Sequence, residues 1–158
     1  MAYFFKANDV AELAMRIEQK GQAFYLLAAD AAENPDAREF FEFFAQEESK
    51  HEVFFRELRD RMGNTELPPG SDFEEYTRYV LALIDSHDVF NFDYTEAFNS
   101  GDFSFDDAVR TAMRFEKDTI LLFSELKTMV PDDDRRIVEA CIEEERGHLR
   151  MLAEKLKD

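Results

Sequence analysis

Two short motifs in this acidic chain have the residue types and spacing to act on one centre, Glu48-x-x-His51 and Glu145-x-x-His148, and they use two of its three histidines. On a helix, residues i and i+3 lie one turn apart on nearly the same side, so a carboxylate and an imidazole so spaced reach one small volume. Each motif has a glutamate upstream, Glu18 before the first and Glu116 before the second. The surroundings repeat as well. Ala14-Met15-Arg16-Ile17-Glu18 recurs as Ala112-Met113-Arg114-Phe115-Glu116, an offset of 98, and Glu47-Glu48-Ser49-Lys50-His51 recurs as Glu144-Glu145-Arg146-Gly147-His148, an offset of 97. The chain reads as a duplicated helical hairpin in which each copy supplies one lone Glu and one Glu-x-x-His.

The chemistry follows from where these groups fall. Glu48 and His51 interrupt an aromatic and aliphatic seam that runs Ala37, Phe41, Phe44, then Phe55, Leu58, Met62; Glu145 and His148 interrupt the seam Val138, Cys141, Leu152. All four therefore point into a core, with Glu18 and Glu116 on the buried sides of their own helices. Four ionised carboxylates in one low-dielectric interior cost several kcal/mol each in desolvation, and they repel one another. Two divalent metals with two neutral imidazoles balance that charge, whereas one metal leaves an excess of two negative charges. One Glu from each of two helices and Glu-x-x-His from each of two others is the di-iron or di-manganese carboxylate constellation. Glu47, Glu143 and Glu144 read as solvated carboxylates or as partners behind the ligands. Tyr25, seven residues after Glu18, lies on the same face, where its hydroxyl can hydrogen-bond a ligand; its counterpart Phe123 cannot.

Positioning such a centre takes four long helices, and the breakers leave room for four. They cluster at Asn34-Pro35, at Met62 to Gly70, at Asn99-Ser100-Gly101 and at Val130-Pro131. Apolar periodicity and capping signals place helices at about 9–32, 35–62, 104–129 and 131–157. Short links make each pair an antiparallel hairpin. Between the pairs runs a crossover, about 63–103, with Phe73, Tyr76, Val80, Leu83 and Ile84 at helical spacing, which fits one short helix. His87 and the aromatic run Phe90–Phe105 read as packing over the outside of the bundle. The expected fold is all-α, a four-helix bundle with one long crossover, in a single domain spanning 1–158.

Composition narrows the function classes. Net charge is −17, which repels phosphate backbones and anionic membrane surfaces, so neither nucleic acid nor membrane is an expected partner. Hydrophobic residues make up 45% of the chain with 17 Phe, too much apolar mass for a disordered acidic chain. A lone Cys141 excludes an internal disulfide and any Cys-rich metal site within this sequence. No signal-type or membrane-spanning apolar run is present, which gives a cytoplasmic expectation.

With those residues on the page, Glu18, Glu48-x-x-His51, Glu116 and Glu145-x-x-His148, together with the phrases FEKDTI and EEERGHLRML, resemble the rubrerythrin family of the ferritin-like superfamily over nearly the whole chain. The resemblance implies two iron ions per chain, with manganese or zinc as other occupants. It implies that Glu48 and Glu145 bridge the metals, that Glu18 and Glu116 are terminal ligands, and that His51 and His148 each bind one metal. Tyr25 matches a tyrosine that the family places beside the site. The implied activity is two-electron reduction of H₂O₂, or reaction with O₂. Two departures stand out: no Cys-rich electron-delivery domain accompanies the bundle in this sequence, so a separate electron-donor protein is expected, and the position three residues after Glu116, where the family carries a further Glu, is Thr119.

Other functions fit the same ligand types. A ferroxidase or iron-handling protein would profit from the acidic surface, a di-manganese catalase would need no external reductant, and an interaction module could keep a vestigial site. The Phe-rich stretches Phe40–Phe44 and Phe54–Phe55 put more apolar residues on the second helix than one seam buries, which predicts a homodimer through that face.

Overall fold

A computed structural model describes residues 7–62 and 73–157. The breaker segment from Gly63 to Gly70 lies outside the described residues, as do the side chains of Phe73 and Tyr76. Helices α1 (Ala7–Ala31) and α2 (Pro35–Met62) form one antiparallel hairpin, and α6 (Phe105–Met129) and α7 (Asp132–Lys155) form the other. Between them run α3 (Phe73–Ser86), α4 (Asp88–Asn91) and α5 (Tyr94–Ser100). The described residues are all-helical, with the ferritin-like arrangement of two hairpins joined by a long crossover.

Each helix starts and stops for a local reason. Asn34 Oδ1 accepts from the Ala37 N–H at 2.9 Å, and Pro35 and Asp36 fill the first turn of α2. Ser104 caps α6 in a reciprocal box with Asp107. Three aspartates open α7 after Pro131, where negative charge meets the positive end of the helix dipole. The crossover differs from the single short helix expected of it. A second piece, α4, follows directly on α3 at His87, and Asp93 then caps α5, accepting from the Thr95 N–H, before Gly101 at φ 76° ends it. Only glycine adopts that left-handed conformation without cost.

Two large apolar clusters fill the bundle, one toward each end, with a third, smaller one beside them. The first gathers Val10, Ala14, Phe55, Leu58, Phe123, Leu126, Val138 and Ile142; the second gathers Phe24, Tyr25, Phe41, Phe44, Ala112, Phe115 and Leu152. Between these sets each long helix contributes buried polar residues, so a buried polar layer crosses the middle of the bundle, flanked on the crossover side by the third cluster, of Ile17, Val80 and Leu122. Phe90, Phe98 and Phe103 of the crossover region pack onto the second cluster, Phe98 and Tyr94 against Phe24. Cys141 is buried in the first cluster, and burial pushes its thiol up to about 12. It is a packing residue, not a reactive one.

The surplus of phenylalanine on α2 is mostly absorbed inside the chain. Phe41, Phe44 and Phe55 are buried, Phe40 packs on Phe41 and Phe44, and Phe54 packs on Phe55. Phe43 and Val53 remain exposed on this helix. Phe55 is wholly buried against Phe54 and Phe123. Phe55→Ala should lower unfolding free energy by about 3–5 kcal/mol in urea titrations, with no change in metal stoichiometry.

Candidate metal centre

The polar layer holds Glu18 from α1, Glu48 and His51 from α2, Glu116 from α6, and Glu145 and His148 from α7, all buried. They sort into two groups of four. Glu18, Glu48, His51 and Glu145 offer ligand atoms within 4.8 Å of one another, and so do Glu48, Glu116, Glu145 and His148. Glu48 and Glu145 belong to both groups, which is the arrangement two adjacent cations require of bridging carboxylates. The His51 and His148 rings face each other across the layer, centroids 5.9 Å apart. His51 Nδ1 lies 2.8 Å from Glu145 Oε1 and 3.7 Å from Glu18 Oε2; His148 Nδ1 lies 2.9 Å from Glu145 Oε2.

Several of these atoms have no hydrogen-bond partner. Both Glu18 oxygens, Glu48 Oε1, Glu145 Oε1 and His51 Nδ1 are buried without one, because the close approach of His51 to Glu145 lacks hydrogen-bond alignment. Buried polar atoms are almost always satisfied, and unpartnered charges in a core are costly. Five orphaned donor atoms converging on one layer fit the coordination of hard divalent cations by carboxylate and imidazole. The residues present therefore suit a dinuclear metal centre.

Protonation shows the same strain. Burial, then the charges of Glu18 and Glu145, hold the Glu48 carboxyl well above the usual range. Burial and Glu145 do the same to Glu116, and burial raises Glu18. For Glu145 burial again pushes upward, but the His148 and His51 rings outweigh it and keep the carboxyl ionised. His51 would lose its charge to burial, yet Glu145 and Glu18 outweigh that and hold its proton far above the ordinary imidazole range. In the metal-free protein, protons supply the positive charge that cations would bring.

The surroundings of the two groups differ. Glu144, half exposed, lies 2.7 Å from His51 Nε2, so with Nδ1 facing the carboxylates the Nε2–H donates to Glu144. This carboxylate–imidazole pair fixes the ring and strengthens it as a ligand. Glu47, the equivalent of Glu144 in the repeat, turns instead to Lys50, while the His148 ring packs edge-on to Phe44 and Phe43. On the His148 side the carboxylate is braced: the Tyr25 hydroxyl donates to Glu116 Oε1 at 2.6 Å. Burial, foremost, and Glu116 push the Tyr25 hydroxyl well above its ordinary value, so it stays a donor. Gly21 makes room for the bridge, since a Cβ there would stand 3.0 Å from Glu48 Oε2. Glu52, also buried, is accounted for by Gln19 and Arg56 and stands outside both groups.

One expectation is corrected. His87 does not pack over the outside of the bundle: it is 1% exposed, beneath the crossover, with Nε2 3.2 Å from Thr119 Oγ1. Its ring is tilted against Phe115 and meets Phe90 edge-on. Burial pushes it down to about 4, so it is neutral at physiological pH. The signal was in the sequence: His87 falls seven residues after Val80 and four after Leu83, so it continues the apolar stripe of α3 inward.

Two outcomes follow. Glu18, Glu48 and Glu116 are raised in the fold, so they favour the protonated folded state at low pH, and that stability is lost as pH rises from about 4.5 through their folded values; His51, also raised, acts in the same direction from about 6.5 upward. The thermal midpoint of metal-free protein should fall between pH 5 and about pH 8, a fall that saturating Mn(II) abolishes. Glu144→Gln should weaken one of two Co(II) binding steps in calorimetry by about 10–100-fold and spare the other, while Glu47→Gln leaves both.

The Rubrerythrin family model matches residues 9–156. No curated protein matches the sequence. A crystal structure from Thermotoga maritima, assigned as a ferritin-like diiron-carboxylate protein, superposes with a TM-score of 0.78 at 25% identity and covers 100% of this chain and 99% of that one. A protein of unassigned function from Pyrococcus furiosus superposes with a TM-score of 0.65 at 20% identity, covering 97% and 89%. With that match, the duplicated hairpins and the two Glu/His groups they bring together, the chain belongs to the rubrerythrin family.

Proposed function

We propose that this protein is a non-haem di-iron oxidoreductase that reduces hydrogen peroxide at the buried layer. The observation that carries this reading is the pair of ligand groups sharing Glu48 and Glu145, with buried oxygens left unpartnered. Carboxylate and imidazole donors suit iron and manganese, and the family favours iron. When bound in its reduced state, an iron pair supplies two electrons, which with two protons cleave the O–O bond of H₂O₂ and give two waters. The chain's own part is to hold that charge and exclude bulk water. Glu48 and Glu145 belong to both groups and would be shared by two metals, while Glu18 and Glu116 would close the two ends and His51 and His148 would each serve one metal. Tyr25 keeps Glu116 in place through its 2.6 Å hydrogen bond.

Re-reduction falls to a separate electron-donor protein, and O₂ is the other small oxidant the layer would admit. Among the described residues no helix is long and apolar enough to cross a membrane. A homodimer through the α2 face that carries Phe43 and Val53 belongs to the same reading. The net charge of −17 favours a second one, iron handling, because an acidic surface concentrates Fe(II).

Anaerobic loading with Fe(II) should give about two irons per chain, lost in a Glu48→Ala/Glu145→Ala variant, in a species that sediments as two chains. One equivalent of H₂O₂ should then produce near-ultraviolet ferric absorption much faster than air does. Uptake of many irons per chain driven by O₂ would favour iron handling, disproportionation of H₂O₂ by the manganese-loaded protein without a reductant would favour a catalase, and absence of stoichiometric metal would leave a vestigial site.

A further inference from the structure

Beside the layer lies a cavity of about 10 Å³ lined by Gly21, Tyr25, Glu48, Glu116, His87 and Thr119, with Ile17 and Phe115 as its apolar wall. That volume admits one oxygen atom with its hydrogens. The cavity borders both a shared carboxylate, Glu48, and a terminal one, Glu116, so an oxygen placed in it faces the centre directly.

Thr119 stands one turn beyond Glu116 on α6 and is buried, and its Oγ1 lies 3.2 Å from His87 Nε2. In the repeat its counterpart is Gly21, whose missing side chain makes way for Glu48. The two hairpins therefore differ at this point: one gives way to the Glu48 carboxylate, the other presents a hydroxyl held by a buried imidazole from the crossover. His87 belongs to neither ligand group. The acceptors that face the cavity are the carboxylates of Glu48 and Glu116, which favours a hydroxyl whose proton points toward them. His87 then donates Nε2–H to Thr119 Oγ1, and the Thr119 O–H is directed into the cavity.

We propose that one oxygen of the peroxide occupies this cavity and accepts a hydrogen bond from the Thr119 hydroxyl, with His87 as the positioning residue behind it. The proposal rests on the reading of the layer as a metal centre that reacts with H₂O₂. It adds a directional, uncharged contact to a site whose other lining hydroxyl, that of Tyr25, is already committed to Glu116. A hydroxyl bonds a neutral peroxide without contributing a further negative charge, and a neutral imidazole fixes that hydroxyl without competing for the cations.

The test uses the full chain loaded with two irons. Oxidation of the reduced protein is followed by stopped flow against H₂O₂ concentration, and azide is titrated optically into the oxidised protein as a hydrogen-bond-accepting probe. Thr119→Val should raise the half-saturating H₂O₂ concentration and the azide dissociation constant by about three- to tenfold, the size of one uncharged hydrogen bond, with iron content unchanged. Thr119→Ser should recover both. His87→Phe should reproduce the Thr119→Val effect, and His87→Gln, which restores a donor, should reverse most of it. Variants that lower only the thermal midpoint, with both saturation constants at wild-type values, would overturn the proposal and make the pair a brace for the crossover. Slow oxidation of the wild-type protein by H₂O₂ would instead defeat the peroxide reading itself, and with it the substrate assigned to the cavity.

Discussion

Four carboxylates share one buried layer, and everything else in the fold is arranged around the charge they carry. Hydrophobic burial holds the bundle together on either side, but in the middle the helices approach through groups that repel and that water cannot reach. The layer persists because positive charge is available to it, as protons on Glu18, Glu48, Glu116 and His51 or as metal. The unpartnered oxygens of Glu18 and the shared position of Glu48 and Glu145 are what surrounding two cations rather than one would require.

Much of this was legible in the sequence because it depends on spacing. A seam that reads Phe41, Phe44, Glu48, His51, Phe55 can be solved only by a helix with a polar turn in its core, and the second copy of the pattern repeats the message. The caps at Asn34 and Ser104 and the acidic first turn after Pro131 have mechanisms that act within a few residues. What spacing does not encode is the choice a side chain makes between two partners. Glu47 and Glu144 are equivalent in the repeat, yet one turns to Lys50 and the other to His51, since position 147, the counterpart of Lys50, is a glycine that offers no cation. The crossover was legible only in part, because α4 and α5 are short and take their positions from packing on α1 and α6 rather than from periodicity of their own.

The duplication is therefore a scaffold symmetry and not a chemical one. Pseudo-equivalent helices deliver equivalent ligands, but the groups that touch those ligands differ: Glu144 behind His51 and phenylalanines beside His148, Tyr25 braced on Glu116 with Phe123 at the corresponding place, Gly21 opposite Thr119. Two cations held in this layer would be inequivalent in field and in solvent contact. That suits redox work, in which one position can be electronically distinct from its neighbour without any change of ligand type.

The polar layer between the two large apolar clusters also bears on how the molecule comes apart. The four long helices run through both halves, and the third, smaller cluster of Ile17, Val80 and Leu122 ties the halves together along the crossover side, sharing Met129 with one end and Phe90 with the other. Neither α2 nor α7 contributes to that cluster, so without a cation the midplane is weakest between those two helices. A bound metal pair would draw ligands from all four helices together, so it would govern cooperativity as well as chemistry.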